Sequence, residues 1–453
     1  MAKAARLYQS GDLATARALC DEILRSDARH FYALHLAAAI ALREARAEDT
    51  VRLASRALEL EPDHADVLSN RGAALRMMCR FEEALADYDR SLSVQPARAS
   101  TLGNRGVALA ALGRYGEALA CFDAALAIDP DEARARYNRA LARLTVGQYR
   151  EGWIDYESRW TGGEKPMAPR PFGVPRFTEH DWGKGHRTAL WTEQGLGDQL
   201  LFSSLATEFE ARGEKFVLEV DERLVAAFRR SHPDWEVASP AQSAAAFASC
   251  DRALSLASAG GLLRDSEHSF ERQPAALLSA DASRAAGYAA LLRHGPGRPI
   301  GISWRSFQPP ARRFYEITKS APLADFQALT RKSDIRLVDL QYGDTAADRE
   351  AFASNGGRLE RIAGLDLFND IDGVLAAIEA CDAVVTISNV TAHLAGAIGK
   401  RTLLVYPSAN PPFHYWSPNA AGRSRWYPSV EIVTVPGVSS WPQVLGRAAE
   451  ILG

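Results

Sequence analysis

Residues 70–96, NRGAALRMMCRFEEALADYDRSLSVQP, are followed at 104–130 by NRGVALAALGRYGEALACFDAALAIDP, the same pattern displaced by 34 positions. Pro62, Pro96 and Pro130 keep this interval, as do Asn70, Asn104 and Asn138. So do Phe81, Tyr115 and Tyr149, and Tyr88, Phe122 and Tyr156. A fixed period of this length belongs to stacked helix pairs, since one pair cannot bury its apolar face alone. Gly72 and Gly106, with Ala84 and Ala118, mark where the helices of a pair approach closely. The aromatics fill the gap, and the proline stops the second helix. Gly113 and Gly147 share one further position of the period. A fainter copy precedes these (Leu34, Ala38, Ala57, Pro62), and Gly11 with Ala16 suggests an opening half repeat. The expectation is an α-solenoid over 1–160, with about four and a half repeats.

Beyond Trp160 the pattern changes. TGGEKPMAPRPFGVPRF, rich in Gly and Pro, predicts an irregular linker over 161–187. TALWT (188–192) then reads as a strand running through a Gly-rich turn into a helix carrying Leu201, Leu205 and Phe209. KFVLEV (215–220) and RALSLA (252–257) continue the alternation, and HGPGRP (294–299) interrupts it. A second set follows: PIGISW, IRLVDLQ, a helix around Val374 to Ile378, AVVTIS and RTLLVYP. Strands alternating with helices in two blocks predict α/β architecture, with parallel-sheet lobes at 188–293 and 298–453 facing a cleft.

Composition narrows the class. Hydrophobic residues at 47% and charged ones at 24% fit a globular chain, and a formal charge of −3 does not suggest nucleic acid. No apolar run reaches the roughly 18 residues of a membrane span, and the N-terminus lacks the regions of a signal peptide. The five cysteines have no metal or CxxC spacing. A reduced, cytoplasmic protein is expected.

The repeat resembles the tetratricopeptide (TPR) signature. In the second part, GLGDQLLFSSL (195–205), GISW (301–304), LQYGD (340–344), ISNVTAHLAGAIGK (387–400) and RWYPS (425–429) resemble the ordered marks of heptosyltransferase-like GT-B enzymes. With a TPR front end, the set resembles TPR-containing GT-B protein glycosyltransferases, including those that modify flagellin in alphaproteobacteria. The resemblance implies an inverting, metal-independent transfer of a sugar from a nucleotide donor to Ser or Thr hydroxyls. It puts the acceptor on the first lobe and the donor on the second, with no cofactor beyond the nucleotide-sugar.

Candidate residues follow, each with a plainer alternative. The resemblance puts a catalytic Asp at Asp198, where Asp also commonly caps a helix. Glu193, Gln194 and His393 are further candidates. Gly195 and Gly197 let backbone approach a ligand. Ser388, Asn389 and Thr391 open a helix whose free N–H groups suit phosphate. The family's usual Asp-Thr pair is replaced here by Ser388-Asn389, which leaves donor identity open. A cation after the GISW strand, best matched by Lys319, with Arg305, Arg312 and Arg313 nearby, would meet the leaving phosphate. Ser303, Gln341 and Tyr342 stand at strand ends where nucleotides bind. Asn70, Asn104 and Asn138, with Arg71, Arg105 and Arg139, form a ladder on the first helices. TPR-bearing O-linked N-acetylglucosamine transferases hold peptide with asparagines at the matching position, though asparagine there also satisfies local groups. Asp370-Ile371-Asp372 has the letters of a metal motif but opens a helix, and reads as capping. Two alternatives remain: an adaptor whose transferase part is degenerate, and a transferase acting on lipid-linked or lipopolysaccharide glycans.

Overall fold

The computed structural model describes residues 1–162, 170–307, 319–331, 334–408, 413–435 and 440–453. Arg312 and Arg313 lie outside them. The chain divides into two compact units. One holds Met1–Ala142 with 158–162; the other holds Arg143–Glu157, 170–307 and 319–453.

The N-terminal region is a TPR-like helical solenoid. Its helices are α1 (Ala2–Ser10), α2 (Leu13–Ser26), α3 (Phe31–Arg43), α4 (Ala47–Leu58), α5 (Ala65–Met77), α6 (Phe81–Val94), α7 (Ala99–Ala111), α8 (Tyr115–Ile128), α9 (Ala133–Thr145) and α10 (Tyr149–Tyr156). The opening segment, expected to be half a repeat, forms a pair of its own with a shortened first helix. Every pair turns at the same register position. Gly11, Ala45, Cys79, Gly113 and Gly147 stand 34 apart, and all have positive φ, between 57° and 88°. The left-handed conformation is what lets the chain reverse in so few residues, and glycine adopts it without a Cβ penalty. Ala45 and Cys79 adopt it at a cost of roughly 1 kcal/mol each.

The second unit is built on two parallel sheets. The first has the order β3-β2-β1-β4, from β1 (Arg187–Trp191), β2 (Lys215–Glu219), β3 (Glu236–Ala238) and β4 (Arg252–Ser255). The second has the order β10-β9-β8-β5-β6-β7. Its strands are β5 (Arg298–Ser303), β6 (Ile335–Asp339), β7 (Leu359–Glu360), β8 (Ala383–Thr386), β9 (Thr402–Val405) and β10 (Val430–Val433). β8 and β9 are buried along their whole length, as expected of strands covered on both faces. Ile300, Ile302, Val385, Leu403 and Leu445 lie in the core of the second sheet.

Three boundaries differ from the sequence reading. Residues 170–177, expected within a linker, lie along the open edge of β4: Phe177 N–H donates to the Ala253 carbonyl (3.0 Å), and Phe172 packs on Trp191 and Phe247. RALSLA is a strand only as far as Ser255, and Leu256 begins the helix Leu256–Leu263. Helix Ala282–Leu292, assigned by order to the first block, packs instead on helix Ile371–Ala380 of the second. Arg284 there binds the Asp370 carboxylate, and Leu277 and Leu278 N–H groups donate to Ala397 (2.7 and 2.8 Å). The chain therefore crosses to the second sheet before HGPGRP rather than at it.

Helix α10 belongs structurally to the second unit. The Trp153 indole lies so tightly on Gly260 that a Cβ there would stand 2.6 Å from the ring. Its N–H donates to the Arg264 carbonyl at 2.8 Å.

Candidate functional site

Asp198 sits in the first turn of helix Leu196–Ser203, immediately after the C-terminal end of β1. Gly195 is the N-cap and leaves Asp198 at the third helical position, so the carboxylate is not the cap itself. Burial raises its pKa to about 6. The Lys319 ammonium opposes the rise and the Glu193 carboxyl adds to it. Glu193 accepts a hydrogen bond from Ser255 at the end of β4. Gln194 donates to the Tyr156 hydroxyl of α10 at 2.9 Å.

His393, from helix Val390–Ala397 of the second sheet, meets this turn. A Cβ on Gly197 would stand 2.7 Å from its ring. The imidazole is buried, and burial with the nearby Lys319 charge lowers its pKa to about 3. Its Nδ1 is 3.1 Å from the Tyr427 hydroxyl, and Tyr415 and Trp416 pack around the ring. Asp198 and Glu193 from the first sheet thus converge with Lys319, His393 and Tyr427 from the second.

Other expected donor contacts are engaged inside the protein. Gln341 Oε1 accepts from Ser303 Oγ (2.9 Å) and from the N–H groups of Trp304 and Arg305 (2.7 and 2.6 Å). Asn389 donates to Ser303 Oγ (2.8 Å) and caps its helix through the Ala392 N–H. Thr391 donates to the Leu340 carbonyl. All four side chains are buried, so the network ties the ends of β5, β6 and β8 rather than offering groups to a nucleotide. At the helix expected to meet phosphate, part of the first turn is engaged within the protein. Asn389 takes one N–H of its first turn, that of Ala392. Ser388 Oγ accepts the Trp416 indole N–H (3.1 Å), and Arg305 pairs with Asp348 (3.2 Å). Asp370 is the N-cap of its helix, and Asp372 pairs with Arg230.

The ladder residues separate into two kinds. Arg71 binds both oxygens of Asp87 at 2.7 Å and also reaches Ser55 Oγ. Arg105 binds Asp89 and Cys121, and Arg139 binds Asp123. Arg71 and Arg105 each span 16 residues in both directions, from one first helix to the second helices on either side. The arginines, expected on the acceptor, are ties between repeats. The amides of Asn70, Asn104 and Asn138 are part-exposed and hydrogen-bond to no described residue. Sequence reasoning gave no role to Tyr427 or Tyr156. RWYPS and the aromatic period were visible, but not the contacts of their hydroxyls.

Residues 78–136 match the model of the tetratricopeptide repeat. Protein FlbA of Caulobacter vibrioides is 31% identical over 321 residues, which cover 67% of this chain and 52% of that protein. The chain thus spans about half the length of the curated relative it matches. Among solved structures, MamA is 17% identical over 36% of this chain and 94% of its own, with a TM-score of 0.32. A thermophilic TPR protein of Thermus thermophilus is 21% identical over 36% of this chain and 90% of its own, also with a TM-score of 0.32. Among the described residues no helix is long and apolar enough to cross a membrane.

Proposed function

We propose that this protein transfers a sugar from a nucleotide donor to a hydroxyl of a polypeptide held by the TPR-like array. On this reading the two parallel sheets are the lobes of a metal-independent GT-B domain working in the cytoplasm. The observation that carries it is Asp198, a carboxylate held near the pH at which a general base works best, in a site built from both sheets. In the transfer Asp198 takes the proton of the acceptor hydroxyl. Lys319 offsets the negative charge that develops on the departing phosphate. The asparagine amides, which bond to no described residue, can both donate to and accept from an extended peptide backbone, which suits an acceptor of any sequence.

The test uses the full chain with a panel of nucleotide-sugars, following nucleotide release and the intact mass of an acceptor. Flagellin is the first acceptor to try, because the family resemblance suggests it. Donor-dependent release that vanishes in Asp198→Asn supports the reading. Absence of both release and donor binding across the panel rejects it.

One observation favours an adaptor instead. Where the family places a carboxylate after β8, this chain has Ser388, whose hydroxyl accepts the Trp416 indole N–H. On that reading, wild type and Asp198→Asn behave alike, and partner binding by the array is the whole activity.

A further inference from the structure

Tyr427 lies flat on helix Val390–Ala397. A Cβ on Gly396 would stand 2.5 Å from its ring, so only glycine lets the ring lie there. Gly396 is three residues after His393, on the same face of the helix. The tyrosine hydroxyl consequently reaches back one turn to His393 Nδ1, at 3.1 Å.

We propose that Tyr427 is a positioning residue that fixes His393 as its Nε2–H tautomer, making His393 a hydrogen-bond donor to a ligand oxygen and leaving Asp198 as the proton acceptor. The argument is one of proton counting. A phenol carries one proton, and burial with the nearby Asp198 charge keeps it there by raising the tyrosine pKa. Among the described residues the hydroxyl makes one hydrogen bond, to His393 Nδ1; a buried O–H left without an acceptor is costly, which favours the O–H as donor and Nδ1 as acceptor. A neutral imidazole has a single N–H, which must then be on Nε2. That nitrogen faces the turn bearing Asp198: a Cβ on Gly197 would stand 3.0 Å from it. An imidazole held this way cannot take a proton at Nδ1, and its other nitrogen offers hydrogen rather than a lone pair.

The role in transfer rests on the glycosyltransferase reading; the tautomer does not. The test is nitrogen-15 NMR of histidine side chains in the full chain, with His393→Gln identifying the His393 signals by difference. The expected result is a protonated Nε2 and an unprotonated Nδ1, with a shift toward mixed tautomers in Tyr427→Phe. A protonated Nδ1 in the wild type overturns the proposal, because the hydroxyl would then be the acceptor. Chemical unfolding of Tyr427→Phe confirms that the variant stays folded. Kinetics add a second arm. Tyr427→Phe should lower kcat on the order of tenfold, as loss of an orienting partner does, while the acid limb of the pH profile stays near that of the wild type. A displaced acid limb overturns the assignment of Asp198 as sole acceptor. His393→Gln, whose amide can donate from the Nε2 position, should keep more turnover than His393→Ala; equal losses count against a donor role. A spectrum as expected in a protein that releases no nucleotide would reject the transferase reading alone.

Discussion

Gly197 and His393 meet so closely that a Cβ on the glycine would stand 2.7 Å from the ring. The sequences GLGD and HLAG, almost 200 residues apart, are thus two halves of one contact. Gly197→Ala should force the imidazole aside, at a cost of about 1–3 kcal/mol in stability, as overpacking typically does. Chemical unfolding measures that cost, and donor hydrolysis should fall with it. An alanine variant as stable and active as wild type would mean that the helix and the imidazole can separate freely.

Asp198 links activity and stability in opposite directions. Its folded pKa is raised from 3.8 to about 6, so the folded state holds a proton that the unfolded chain has already lost. Stability should therefore fall as pH rises from about 4 to about 6, then level off. Transfer needs the ionised form and should rise through the same window. Asp198→Asn should remove both trends: its melting temperature should gain on wild type toward about pH 7, while turnover falls by about 10²–10⁴-fold. Thermal scans and rates on either side of that window decide the matter.

The ladder gives a split prediction. Replacing Asn70, Asn104 and Asn138 together by Ala should raise the acceptor KM, with donor hydrolysis and stability nearly unchanged, because those amides bond to nothing described in the protein. Arg71→Ala should do the reverse. It leaves the buried Asp87 carboxylate without its guanidinium and should cost roughly 1–3 kcal/mol. Peptide binding and urea unfolding, run on both variants, separate the two roles.

Two turns carry a residue that the backbone does not favour. Ala45→Gly and Cys79→Gly should each stabilise the array by about 0.5–1 kcal/mol, since both positions have a φ of 57°. Gly113→Ala should destabilise by a similar amount. Unfolding of the three variants tests the shared turn geometry directly.

The array was legible because its signal repeats: Asn, aromatic and Pro positions return every 34 residues, and each copy corroborates the others. Strands such as AVVT and TLLV were legible through continuous apolar runs. Gln341, Ser303 and Asn389 misled because a polar residue after a strand looks the same whether it faces a ligand or a neighbouring strand end. Only the order β8-β5-β6, which brings three distant segments side by side, shows that they bind one another. Helix Ala282–Leu292 was assigned by chain order, whereas its partner is chosen by packing and by the Arg284–Asp370 pair. The arginine ladder has the letters of a binding face, yet the aspartates it grips lie 16 residues away, beyond any local pattern.

The seat of Trp153 on Gly260 has a consequence for how such a chain can change over generations. Repeats can be duplicated or lost in a gene without disturbing their neighbours, provided that the joint is another repeat. Here the last pair is exempt from that freedom. Helix α10 is counterpart to the helix Leu256–Leu263, so recombination that replaced it would uncover Gly260 and leave the Arg264 carbonyl without its indole donor. Length variation among descendants of this gene should accumulate on the N-terminal side of Arg143, with the final helix inherited together with the α/β part.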